Sequence, residues 1–177
     1  MIQARAFPKV LTFSGVKYYI FSAVFVGLAV VTPTVFHQFN LAGPKFLPMH
    51  IFVILAGILF GWRTGLLVGL LSPLMSYSIT QMPPMAILPE TVLELAVFGL
   101  AVGLLRERGF NIWGALLGAM IFGRLARLAF VLVFGLQTNF WQYLRISWPG
   151  IVLQLALIPA VLYLLQRFLF KKSETKI

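Results

Sequence analysis

Four acidic side chains stand in a chain of 177 residues: Glu90, Glu94, Glu107 and Glu174. Glu90 and Glu94 are four apart, so on a helix they share one face. Arg124 and Arg127 lie inside a long apolar run. Ionisable groups buried in hydrocarbon cost several kcal/mol unless paired or wetted, so each marks a candidate site. Counted at about 1.5 Å per residue from Asn111, Arg124 lies about 20 Å and Arg127 about 24 Å into that run. Glu94 lies about 7 Å below the opposite end of its own run. In a core about 30 Å thick these depths match. Glu94 is therefore expected to meet Arg124 or Arg127 across a bundle. Glu90 is expected nearer the surface. Glu107, within Arg106-Glu107-Arg108, is expected in a solvated turn. Two chemistries stay open for the cluster. It is an ion pair that locks helices, or one arginine is left for an anionic ligand. Two arginines against one deep carboxylate lean slightly to the second.

The remaining polar groups gather between apolar runs. The stretch HQFNLAGPKFLPMH, residues 37–50, holds both histidines, His37 and His50, with Asn40 and Lys45. Gln81 precedes Met82-Pro83-Pro84-Met85, where fixed proline φ values stiffen a turn. Asn139 and Trp141 sit in a third polar stretch. Together these frame a small-molecule site, a mostly apolar pocket with a few placed polar groups. The plainer alternative is wet loops with interfacial aromatics. His37, His50 and Glu94 make only a weak metal set. No Ser-His-Asp set, H-E-x-x-H or phosphate loop is present, so neither an enzyme nor an ATPase is expected, and no cofactor. The chain has no cysteine, which removes disulfides and thiolate sites.

Composition says what must position these groups. The chain is 60% hydrophobic and 10% charged, with mean hydropathy +0.97. A soluble domain carries about a quarter charged residues, so this is an integral membrane protein. Six apolar segments are read at about 18–36, 47–61, 64–80, 89–105, 111–136 and 149–170. The second and third are short, and Gly61-Trp62-Arg63-Thr64-Gly65 turns between them. Small residues four apart, as at Gly57, Gly61, Gly65 and Gly69 or at Gly99 and Gly103, allow close helix packing. The expected fold is all-α: one membrane domain over residues 1–177, a compact bundle of six transmembrane helices. Residues 1–17 form a basic N-terminus and residues 171–177 a tail.

Six crossings place both termini on one side. That side holds Arg5, Lys9, Lys17, Arg63, Arg106, Arg108, Arg167, Lys171, Lys172 and Lys176. The other holds only Lys45 and Arg145. Lys and Arg favour the cytoplasmic side, so both termini are expected there and the polar stretches outside. The formal charge of +10 is read as juxtamembrane anchoring in lipid, not nucleic-acid binding. The apolar run after residue 17 is long enough to stay as a span, with no small-residue cleavage site, so no signal peptide is expected.

Three stretches carry a family resemblance: GPKFLPMHIFVILAGILFGWRTGLLVGLLSPLMS at 43–76, TQMPPMAILPETVLELAVFGLAVGLL at 80–105 and GRLARLAF at 123–130. The chain resembles the substrate-binding S components of energy-coupling factor (ECF) vitamin transporters from about residue 18 to 170. The resemblance implies a non-enzymatic six-helix subunit of an ABC-type importer in the bacterial inner membrane. It implies capture of a small vitamin or precursor from outside. An exposed Arg124 or Arg127 would suit a carboxylate of pantothenate type, and a pocket dominated by Glu94 and aromatics a hydroxymethylpyrimidine type. Partners would be a transmembrane coupling protein and two cytoplasmic ATPases. It further implies a ligand site among His37, Asn40, Lys45, His50, Gln81, Glu94, Arg124, Arg127, Asn139 and Trp141. The family's Ala-x-x-x-Ala docking motif corresponds here to Ala23-x-x-x-Gly27, a departure that keeps the surface small. The competing classes are a membrane scaffold of cell-envelope assembly resembling MreD and a stand-alone proton-coupled carrier using Glu94. No inverted repeat favours the carrier.

Overall fold

A computed structural model of the protein describes residues 16–38, 43–136 and 139–170, with backbone alone at 17, 18, 36–38, 43, 44 and 166–170. The described residues form helices α1 (Val16–Gln38), α2 (Gly43–Phe46), α3 (Pro48–Phe60), α4 (Trp62–Thr80), α5 (Leu88–Glu107), α6 (Ile112–Val133) and α7 (Phe140–Phe170), with no strand among them. Local chemistry sets their ends. Pro48 opens α3, where a missing N–H costs nothing. Gly61, at φ 87°, breaks α3 from α4, a conformation glycine takes without steric cost. Gln81, at φ 58°, closes α4 and donates its N–H to Tyr77 O at 2.8 Å. Asn111 starts α6 by accepting from Gly114 N at 2.7 Å. Asn139 does the same for α7, accepting from Gln142 N at 2.9 Å.

Four segments agree with the expected spans within a few residues, and the last does not. The sixth was expected to begin at 149, yet α7 begins at Phe140. Gln142 and Arg145 read as loop residues because they are polar, but they lie on an exposed helix face. Pro149 lies inside α7 rather than at its start. The fifth segment ends earlier, at Val133 instead of 136.

Among the described residues, three helices are long and apolar enough to cross a bilayer: Leu88–Glu107, Ile112–Val133 and Phe140–Leu165. The others fall short for separate reasons. α3 has 13 residues, about 20 Å against a core of about 30 Å. α4 has 19 residues but carries Arg63 and several serines and threonines. The apolar described part of α1 runs from Tyr19 to Val35.

α5 is the central helix, packed on α4 along one side and α6 along the other, with α3 against α1, α4 and α5. Ile54, Leu95, Phe98, Val102, Leu116 and Ile158 are fully buried in one core. α4 and α5 approach until backbones touch: a Cβ on Gly65 would strike the Gly99 carbonyl, and one on Gly99 the Gly65 backbone. The glycine spacing therefore serves close packing. At the far end of this contact, Glu107 Oε1 accepts from Trp62 N at 3.1 Å. Glu107 is exposed, as a solvated turn requires, yet it also caps α4. Outside the core, Val24, Val31, Ile121, Leu125 and Leu132 face outward, the apolar exterior that lipid covers.

Candidate functional site: a buried ion-pair cluster beside an apolar cavity

Glu90 and Glu94 stand one turn apart on α5, and Arg124 and Arg127 three residues apart on α6. The two faces meet. Arg124 Nη1 donates to Glu94 Oε1, and Arg127 Nη1 donates to Glu94 Oε2 at 2.8 Å. Arg127 Nη2 donates to Glu90 Oε1. Both carboxylates are wholly buried, Arg124 is 9% exposed and Arg127 4%. The expected pairing of Glu94 is present, with both arginines instead of one. Glu90 differs from expectation: it is buried and paired, because its place one turn from Glu94 points it at α6.

Two further elements close over this cluster. Tyr143, near the start of α7, donates its hydroxyl to Glu94 Oε2 at 3.2 Å. Its ring lies 3.7 Å from the Arg127 guanidinium carbon and 4.8 Å from that of Arg124, within cation–π range. His50, on α3, sits edge-on to Phe98 with centroids 5.1 Å apart. Its Nε2 is 3.7 Å from Glu94 Oε1, beyond direct hydrogen bonding. Four helices thus converge on one carboxylate. Its two oxygens receive charge-assisted bonds, the strong class of hydrogen bond.

Arg127, Tyr143 and His50 of this group line a cavity of about 390 Å³, within the usual range for small-molecule sites. Pro33 and Thr34 of α1 supply one wall, Leu47 and His50 another, and Ser76 and Thr80 of α4 a third. Met82, Pro83, Pro84 and Ile87 form a stiff rim, with Thr91, Arg127 and Tyr143 beneath. The Met82–Pro83 peptide is cis. Leu47 is held at φ 50° and buried between α2 and α3. A left-handed leucine costs of order 1–3 kcal/mol and persists only where surrounding packing fixes it.

The expected site residues divide. Glu94, Arg124, Arg127 and His50 come together. Gln81 is exposed at the end of α4, beside the rim and outside the cavity lining. Lys45 is exposed against the Phe46 ring. Asn139 is spent on capping α7, and Trp141 is 67% exposed. Asn40 and the His37 side chain lie outside the described residues, and with His37 goes the weak metal set. Ala23 and Gly27 lie one turn apart on the exposed face of α1, with nothing within 4 Å of a Cβ built on Gly27. Sequence reasoning missed Tyr143, hidden in a stretch read as loop, and the wall threonines. The Glu90 pairing was open to detection: two acids four apart opposite two arginines three apart form a matched ladder.

Comparison with known families adds the deciding observation. The family described as "ECF transporter, substrate-specific component" matches residues 17–171, nearly the whole chain. The chain belongs to this family. No curated protein and no solved structure matches it significantly. As a substrate-specific component it is a membrane transport subunit, and the envelope-scaffold reading gives way. The cavity and the charged cluster beside it are then the features on which substrate selection has to be argued.

Proposed function

We propose that the chain is the cargo-capturing subunit of an ECF-type importer, taking a small vitamin or vitamin precursor of pantothenate or hydroxymethylpyrimidine type into the cavity above Glu94. The observation that carries this reading is a cavity of ligand size, lined by residues of six helices and reached by Arg127 from a buried charged cluster. Pure bundle packing would leave no such void, since interiors are close-packed and voids of this size are few. In this reading all six longer helices cross the bacterial inner membrane, with both termini cytoplasmic and the cavity rim outside. The charge distribution supports it: ten Lys and Arg fall on the terminal side and two on the rim side. The subunit performs no chemistry. It hands its cargo to a transmembrane coupling protein driven by two ATPases, and the exposed Ala23–Gly27 strip on α1 is the face that meets the coupling protein.

Native mass spectrometry of the chain released gently from detergent tests the capture role. The expected spectrum carries an added small-molecule mass. A bare chain, together with no binding to any vitamin or precursor in a titrated panel, would overturn the reading.

A further inference from the structure

We infer that the cargo is an uncharged molecule, with an apolar or aromatic body and a hydrogen-bonding edge, rather than a carboxylate or a cation. This rests on the capture role proposed above and narrows it.

The charge count leads. Arg127 is the only Lys, Arg, Asp or Glu lining the cavity among the described residues. Both of its terminal nitrogens are engaged, one by Glu94 and one by Glu90. Behind it, Arg124 answers the other Glu94 oxygen. Among the described residues two guanidinium charges therefore balance two carboxylate charges, and Arg124, whose Nε and Nη2 are buried without a partner, does not line the cavity. An anion would have to pull Arg127 from two buried carboxylates. A cation would have to pull Glu94 from two guanidinium groups and a tyrosine. Either would leave an uncompensated buried charge, the costly outcome for a desolvated pair.

The neutral polar groups then give the edge. Thr34 and Thr91 donate their hydroxyls to Val30 O at 2.9 Å and Ile87 O at 2.7 Å. What they turn to the cavity is acceptor capacity. Thr80 donates to Ser76 O and accepts from Met82 N, so it is engaged both ways. His50 is 4% exposed, lines the cavity, and its Nε2 has no hydrogen-bond partner among the described residues. That atom is buried 3.7 Å from Glu94 Oε1, so it belongs to the ion-pair cluster and not to the cavity surface. A cargo with N–H or O–H groups matches the acceptors of Thr34 and Thr91. Leu47, Met82, Pro83, Pro84 and Ile87 cover its body.

The test extracts and identifies the small molecule held by the purified full-length chain. It then compares thermal stabilisation by matched probes: nicotinamide against nicotinate, and panthenol against pantothenate. An uncharged molecule, or stabilisation by the neutral member of a pair alone, is the expected result. A recovered carboxylate or cation, or preference for a charged probe, overturns the inference and leaves the capture role standing. No recovered molecule and no stabilisation by any probe overturns both. Glu90→Gln gives a second reading, since it leaves one surplus positive charge beside the cavity. The neutral-to-anion preference should fall tenfold or more in this variant. An unchanged preference in folded Glu90→Gln protein would contradict the inference, and if that variant does not fold the wild-type comparison decides.

Discussion

Glu94→Gln keeps the side chain's shape and removes its charge, leaving two buried guanidinium groups to share the single carboxylate of Glu90. Breaking a buried ion pair in this way costs about 3–5 kcal/mol. The expected outcome is a large fall in melting temperature in detergent, with loss of cargo binding. Glu107→Gln is the control. It lies in an exposed turn and its amide oxygen can still accept from Trp62 N, so the loss should stay below about 1 kcal/mol. Equal melting temperatures for the two variants would contradict the cluster's role. At this scale the sequence was informative where depth arithmetic applied: Glu94 and the two arginines sit at matching levels. It was uninformative for Tyr143, because a tyrosine beside glutamine and arginine carries no periodic signal of burial. It misled for Glu90, whose place near a helix end reads as surface unless its register with Arg127 is considered.

Among the elements, the α4–α5 contact is the one that fixes where the acids point. Gly65→Ala would drive a Cβ into the Gly99 carbonyl, a backbone neighbour with no rotamer to yield. Overpacking of this kind costs about 1–3 kcal/mol, outweighing the gain of about 1 kcal/mol in helix propensity. Gly27→Ala meets open space and should be neutral or slightly stabilising. Melting curves of the pair check this, and a Gly65→Ala protein as stable as Gly27→Ala would contradict the packing account. Helix existence was legible wherever apolar runs were bounded by glycine, proline or a capping asparagine, as at Gly61 and Asn111. The start of α7 was not. Its first three turns carry polar and aromatic residues on an exposed face and a proline in the interior, a pattern that single-sequence reading assigns to a loop. Asn139, which caps the helix, was the available clue.

For the whole molecule, the proposed cargo and partner surfaces are separate. The cavity lies among α1, α3, α4, α5, α6 and α7, whereas Ala23 and Gly27 lie on the outward face of α1. Gly27→Leu should therefore retain cargo binding and lose copurification with the coupling protein. A variant that still copurifies at wild-type yield would remove that strip from the interface. Membrane class and family were legible from hydropathy, basic-residue asymmetry and three sequence stretches. The charge balance of the cluster was not, because it is visible only once α5 and α6 are in register.

The most direct test of the central claim is thermal unfolding of the purified chain in detergent against a panel of vitamins and their precursors. A ligand at about one hundred times its Kd adds about 2.7 kcal/mol to stability. The account predicts that one member of the panel raises the melting temperature by several degrees, and that Glu94→Gln abolishes the shift. A wild-type melting temperature unmoved by every member would contradict a capture role for the cavity.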